Sequence, residues 1–276
     1  MRPNQLTQFI LALLTMALYS SGCAEISELD VETDTDKILG GQDASSPESL
    51  VSIHVDGRFI CGGTLIHKSW VLTAAHCVDH ADVSAYKVCV GSSQLSQCNP
   101  DIESDVTKIV AHTGFDINNL FEGNDIAIIK LSRPLKGRKI TRLATKQKDE
   151  PANGKKVRAF GWGVSEYNDN PVLPDQLQRI DLKFMSSSAC KKYYSGIGSN
   201  IVCLKAQGEP NEPANKSVCN GDSGGPVYYK GVQIGIASFV TINNERQCLG
   251  TSPNAYTRVS SFRKWIMKKS DGEVKL

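Results

Sequence analysis

The sequence predicts an all-β chain folded into closed antiparallel barrels, and three observations carry that expectation. Short β-branched, aromatic and other apolar runs recur along the chain, separated by turn-forming residues. Long stretches with the 3.6-residue helical period are missing, which argues against strands alternating with helices. A polar segment, KQKDEPANGKK, breaks the pattern near residues 145–155. It leaves room for two barrels of about 110 residues each, with a site between them. The 276 residues are 40% hydrophobic and 22% charged, with 23 Gly and 11 Pro. Those values suit a globular chain and exclude a collagen, a coiled coil or a wholly disordered protein.

The first-half strands are expected at 50–55, 59–66, 70–75, 86–90, 106–110 and 125–131. The second half offers 157–162, 177–185, 201–204, 227–229 and 232–240. Two helices interrupt this series. Residues 187–194 form a short one. Near the C-terminus Val259, Phe262, Trp265 and Ile266 share a helical face, with Arg258, Arg263 and Lys264 outward. That helix, over 257–268, should dock its aromatic face on a barrel. The barrels themselves are placed at 38–145 and 156–256, and the charge-rich stretch 145–156 reads as a solvated linker.

The N-terminus has a different composition. Arg2 precedes an apolar run at 9–19, followed by the small residues Ser20, Ser21, Gly22, Cys23 and Ala24. This is the layout of a secretory signal peptide over 1–24, and the run is too short for a membrane span of about 20 residues. Its removal takes Cys23 and leaves eight of nine cysteines, an even number suited to an oxidising, extracellular compartment. Residues 25–37, EISELDVETDTDK, are acidic, lack aromatics and end in Lys37. They read as an exposed propeptide with a cleavage point before Ile38. A chain starting at Ile38 loses Arg2 and Lys37 from 31 basic residues and six of 29 acidic ones. Its net charge is then about +6. That balance favours acidic surfaces modestly. The charge is scattered, so no nucleic-acid partner is expected.

Three segments carry chemistry. TAAHC at 73–77 places His76 at the end of an apolar run. Asp125 opens NDIAIIKL, and GDSGGP at 221–226 surrounds Ser223 with glycines. Each alone reads as structural: a packed histidine, a turn aspartate, a tight turn. Together they supply what a serine nucleophile requires. The hydroxyl needs a base, and the base needs a carboxylate to orient it. His76 can take the Ser223 proton, Asp125 can hold the imidazole tautomer, and the N–H groups of Gly221 and Ser223 can face a developing oxyanion. The order His, Asp, Ser excludes the α/β-hydrolase arrangement, although GDSGG nominally fits GxSxG.

With these residues the chain resembles the chymotrypsin/trypsin-like serine endopeptidases, whose mechanism is a standard worked case. ILGG at 38–41, TAAHC, NDIAIIKL, the GWG at 161–163, GDSGGP, the SFV at 238–240 and AYTRV follow the family's order over about residues 38–268. The resemblance implies two antiparallel six-stranded β-barrels with a C-terminal helix, a protease domain over 38–276, and a covalent acyl-enzyme. It makes His76 the general base, Asp125 its orienter and Ser223 the nucleophile. The ammonium of Ile38, released by a protease cutting after Lys37, would pair with Asp222 and order the oxyanion loop. The implied disulfides are Cys61–Cys77, Cys190–Cys203 and Cys219–Cys248. Cys89 and Cys98 then pair across a local loop outside the family's usual set.

The resemblance also places the specificity pocket. Ser217 falls at its base, without the carboxylate that a demand for Arg or Lys would need. Val240 and Asn254 fall on its walls, and Ser238, Phe239 and Val240 would pair with substrate backbone. A β-branched residue at 240 implies an elastase-like mouth for small or medium apolar P1 residues. A chymotrypsin-like preference for large apolar residues, and a non-catalytic homologue acting as a binding protein, stay open. A bare catalytic domain favours a broad extracellular or digestive role over a cascade role. Trp162 reads as a core residue, and Asn215 begins an N-x-S sequon. No cofactor is expected. No metal is expected either: HExxH is absent, and the acidic loop of Asp101, Glu103 and Asp105 lacks the EF-hand pattern. The expected partners are protein or peptide substrates, the activating protease and protein inhibitors. No membrane contact is expected, and the protein should be monomeric.

Overall fold

Among the described residues the computed structural model has fourteen strands, two short α-helices and several 3-10 turns. It describes residues 41–79, 81–164, 172–205, 217–240, 248 and 252–276. All of them fall in one compact unit. The expected signal peptide and acidic propeptide, with Lys37, Ile38 and Asn215, lie outside the described residues.

The first barrel uses β2 (Leu50–Val55), β3 (Arg58–His67), β4 (Trp70–Thr73), β5 (Tyr86–Val90), β6 (Glu103–Ala111) and β7 (Ala127–Leu131). It closes in the order β2-β3-β4-β7-β6-β5. The second uses β9 (Lys156–Gly161), β10 (Gln178–Met185), β11 (Ile201–Lys205), β12 (Pro226–Tyr229), β13 (Val232–Phe239) and β14 (Asn254–Arg258). It runs β9-β10-β11-β14-β13-β12 and closes through β12 on β9. Two six-stranded antiparallel barrels are therefore present, as the resemblance implies.

Strand patterning explains the register. In β9 Val157 and Ala159 are buried while Lys156 and Arg158 are exposed. Their β10 partners Leu182 and Ile180 are buried too. The intervening outward pair, Arg158 and Asp181, forms a salt bridge at 2.8 Å. Period-two alternation thus sets which face enters the core. In β4 all four residues, WVLT, are buried, because its outer face is covered as well as its inner one.

Several details differ from the sequence expectation. Two dipeptide strands, β1 (Gln42–Asp43) and β8 (Arg142–Leu143), pair with β10 and β13 of the second barrel. The two ends of the first-barrel segment thus cross over, and the boundary is not confined to residues 145–155. The stretch 145–156 is not simply a solvated linker: the Glu150 and Arg258 side chains form a buried salt bridge, only 6% and 4% exposed. Ser260 Oγ donates to the same carboxylate at 3.1 Å. The C-terminal helix begins later than residue 257. β14 stays extended through Arg258, whose guanidinium donates to Ser199 O at 2.8 Å and Ile201 O at 3.0 Å. A 3-10 turn over Val259–Phe262 then leads into α2 (Arg263–Lys269). Its apolar face does dock: Val259, Phe262 and Ile266 join the first barrel's core, with Trp265 packed against it. The other helix, α1 (Ser187–Cys190), is one turn capped by Ser186 Oγ, and the chain continues to Tyr194 as turns.

Candidate active site

Asp125 lies just before β7, at the face where the barrels meet. The expected strand starts two residues late because Asp125 bonds outside the ladder. Asp125 is 1% exposed. Oδ1 accepts the His76 backbone N–H at 2.9 Å. Oδ2 lies 2.8 Å from His76 Nδ1 and accepts Ser238 Oγ–H at 2.6 Å. Thr257 Oγ1 donates to the Asp125 carbonyl at 2.7 Å. First-barrel Asp125 is thus held by β13 and β14 of the second barrel. With the carboxylate acting as acceptor, Nδ1 carries the imidazole proton and Nε2 presents a lone pair.

His76 sits in a 3-10 turn, Ala75–Cys77, directly after β4. The Cys61–Cys77 disulfide ties that turn to β3. Nε2 lies 3.7 Å from Cys77 Sγ, a disulfide sulfur with no proton to give. Cys61, His76 and Cys77 bring three potential metal ligands within 4.8 Å. Both sulfurs are spent in the disulfide, so the thiolates a metal would need are absent at this cluster.

Ser223 is half-buried in the loop between Cys219 and β12, and its carbonyl accepts Gly62 N–H of β3 at 2.8 Å. That bond presses the second-barrel loop onto the strand that the disulfide joins to His76. Among the described residues Ser223 Oγ and His76 Nε2 are not hydrogen-bonded. Contacts of this kind often tighten only when substrate binds. The N–H of Asp222 goes to Cys219 O at 3.0 Å. The N–H groups on either side, of Gly221 and Ser223, have no acceptor among the described residues. Gly221 has φ +97°, and a Cβ there would sit 2.7 Å from Leu173 Cδ2 and 3.2 Å from Trp162 O. A side chain at 221 would be both strained and in collision, so only glycine suits this turn.

Asp222 points the other way, into the second barrel, and is 2% exposed. Its oxygens accept Gly163 N–H at 2.8 Å and Cys219 N–H at 2.9 Å. The carboxylate packs so closely that a Cβ on Gly163 would lie 2.2 Å from Oδ2, which explains the glycines of GWG. No cation pairs with it among the described residues. Burial pushes its pKa up to about 7, against the two backbone hydrogen bonds.

A cleft of about 200 Å³ adjoins Ser223, lined by Val218, Asn220, Ala237, Ser238, Phe239 and Val240 among others. Of the three expected pocket residues only Val240 lines it. Ser217 and Asn254 are buried behind the lining, at 2% and 4% exposure. Asn254 Nδ2 donates to Ser217 Oγ at 2.9 Å, and Ser217 Oγ donates to Val218 O at 3.1 Å. The Ser217 proton is thereby committed, which fixes the amide orientation and leaves Asn254 Oδ1 without a partner among the described residues. Two residues on this face were not foreseen. Phe121 stacks on Phe239 at 5.5 Å, and Tyr194 meets Phe239 edge-on at 6.0 Å. Both lie in irregular segments, where no periodicity marks an aromatic for a shared surface. Trp162 is a core residue, packed edge-on against Phe59 at 5.7 Å.

The cysteines pair as Cys61–Cys77, Cys89–Cys98, Cys190–Cys203 and Cys219–Cys248. The last anchors the start of the Ser223 loop. Glu103 and Asp105 face Lys87, at 2.8 and 3.6 Å.

A family model described as Trypsin matches residues 38–266. Granzyme M of Rattus norvegicus is 32% identical over 243 residues, covering 84% of this chain and 88% of that protein. Brachyurin of Leptuca pugilator is 30% identical over 237 residues, covering 84% and 98%. Trypsin-3 of Salmo salar is 33% identical over 245 residues, covering 86% and 94%. Among solved structures, neuropsin, a serine protease expressed in the limbic system of mouse brain, matches with a TM-score of 0.70 at 27% identity. That match covers 84% of this chain and 99% of the other.

Proposed function

The chain belongs to the trypsin family of serine endopeptidases, and from that premise we propose that it cleaves peptide bonds through His76, Asp125 and Ser223. Ser223 Oγ attacks the scissile carbonyl while His76 Nε2 takes its proton. Asp125 holds the Nδ1–H tautomer and stabilises the imidazolium. The Gly221 and Ser223 N–H groups receive the oxyanion. Collapse expels the amine, protonated by His76, and leaves an acyl-enzyme that water hydrolyses by the same steps. The observation that carries this reading is the buried Asp125 carboxylate, bonded twice by His76 and once by Ser238.

In this reading the protein is a secreted zymogen, with a signal peptide over 1–24 and a propeptide over 25–37. The four disulfides suit an oxidising compartment. Cleavage after Lys37 frees the Ile38 ammonium to pair with Asp222. Support comes from Asp222 itself, a buried carboxylate whose charge needs a partner. Val240 at the cleft supports a preference for small or medium apolar P1 residues.

The test is a P1 profile. The protein is cut after Lys37, Ile38 is verified as the new N-terminus, and a peptide library varied at P1 is assayed. Preference for Ala or Val supports the narrow cleft. Preference for Phe, Tyr or Leu means that the Val240 wall yields. No cleavage of any peptide would move the chain to the non-catalytic reading.

A further inference from the structure

We propose that a second groove, floored by Phe160 and Tyr228, is a docking site for an acidic peptide segment carrying an apolar side chain. This groove encloses about 690 Å³ and shares no lining residue with the cleft beside Ser223. It forms where residues 46–49, the entry to β8, the strand β9 and the β12–β13 hairpin meet. Its volume is in the range of sites that enclose ligands.

The floor is apolar and fixed. Phe160 and Tyr228 meet edge-on at 5.9 Å, beside buried Val157. The Tyr228 hydroxyl lies 3.1 Å from Thr141 Oγ1, so the ring is held in place. Ile140 forms one side and is 51% exposed, leaving an aliphatic surface that water now covers.

The rim is basic. Lys139, Arg142, Lys156, Arg158 and Lys230 line it against two carboxylates, Glu48 and Asp181. Both carboxylates already serve cations of the rim: Glu48 lies 3.0 Å from Lys139, and Asp181 lies 2.8 Å from Arg158 and 3.5 Å from Lys156. Arg142 and Lys230 enter no ion pair among the described residues. Excess positive charge over an apolar floor selects the occupant. A sulfated glycan would satisfy the rim and leave Ile140, Phe160 and Tyr228 wet. An apolar peptide would fill the floor and leave the cations unmatched. An acidic segment with one aromatic or aliphatic residue satisfies both. In a substrate protein, such a segment away from the scissile bond would tether the substrate and lower KM. That kinetic consequence rests on the proposed protease activity; docking itself does not.

Binding is measured with a fluorescein-labelled Glu-Asp-Phe-Glu-Glu peptide on the Ser223→Ala protein, so that cleavage cannot intervene. Saturable binding is expected, weakened about tenfold by the double variant Arg142→Glu/Lys230→Glu. Ile140→Ser in the protein, and Phe→Ser in the peptide, should each weaken it about fivefold. The same surface variants in the active protein should cleave a small chromogenic substrate normally, which shows that they fold. No saturable binding, or binding indifferent to Arg142→Glu/Lys230→Glu, overturns the proposal. So does equal binding of the Phe→Ser peptide with tight competition by a heparin oligosaccharide, which would mark a plain polyanion site. Loss of peptidase activity with docking intact would refute the protease reading and leave this one standing.

Discussion

Ser238 contributes two different groups at one position. Its backbone belongs to the β13 segment expected to pair with substrate, while its hydroxyl gives Asp125 a 2.6 Å hydrogen bond. Hydrogen bonds to charged groups are worth about 1.5–3 kcal/mol. Ser238→Ala should therefore lower kcat by about tenfold to a hundredfold with little change in KM, because the carboxylate matters most once the imidazolium forms. Steady-state kinetics on one peptide decides this, and an unchanged kcat would remove Ser238 from the positioning role. Asp222 makes a prediction about pH. In the uncleaved chain burial holds its pKa at about 7, above the usual carboxylate range near 4. The folded chain keeps this proton where the unfolded chain releases it. Stability from this group is therefore full below about pH 4 and is lost as pH rises through about 7. Melting curves of the uncleaved protein should show that decline, and Asp222→Asn should flatten it. A slope identical in the two proteins would contradict the assignment. Pairing with the Ile38 ammonium should reverse the sign in the cleaved form.

Arg258 shows how an element ends. Its buried guanidinium keeps β14 extended by bonding two carbonyls and pairing with Glu150. Removing one partner of a buried pair costs about 3–5 kcal/mol, since the other charge stays buried. Glu150→Ala should therefore shift the denaturant midpoint strongly, whereas Lys148→Ala, on an exposed neighbour, should not. Equal midpoints would mean the pair contributes nothing. The same pair marks the limit of what could be read from the chain. The strands around Ile53, Leu72, Ile129, Ile180 and Ile236 were legible because short apolar and β-branched runs, some of them alternating, announce them. β14 was not read as a strand, because NAYTR is buried throughout and its polar residues bond within the protein. Glu150 looked solvated, since its partner lies 108 residues away. The candidate site was more legible than the packing: His76, Asp125 and Ser223 sit in distinctive local motifs. The Ser217–Asn254 bond and the Phe121–Phe239 stack depend on tertiary contacts that no local pattern encodes. Just after β13, Val240→Gly should widen the cleft and raise kcat/KM for Phe over Ala at P1 by about tenfold or more. An unchanged ratio would place the specificity wall elsewhere.

The two barrels divide the work of the whole molecule. The first supplies His76 and Asp125, and the second supplies Ser223, the Gly221 loop proposed to receive the oxyanion, and the cleft wall. Hydrogen bonds from Ser238 and Thr257 to Asp125, and from Gly62 to Ser223, cross the junction. The proposed activity thus depends on a junction whose second-barrel loop is anchored by Asp222 through Gly163 and Cys219, and in the proposed activation the Ile38 ammonium supplies the charge that Asp222 lacks. The most direct measurement is labelling with a fluorophosphonate, before and after cleavage following Lys37, with the modified residue located by peptide mass spectrometry. Stoichiometric modification of Ser223 is expected in the cleaved protein, and almost none in the uncleaved protein or in cleaved His76→Ala. An unlabelled Ser223 in a correctly cleaved protein, or equal labelling before and after cleavage, would contradict the proposed mechanism.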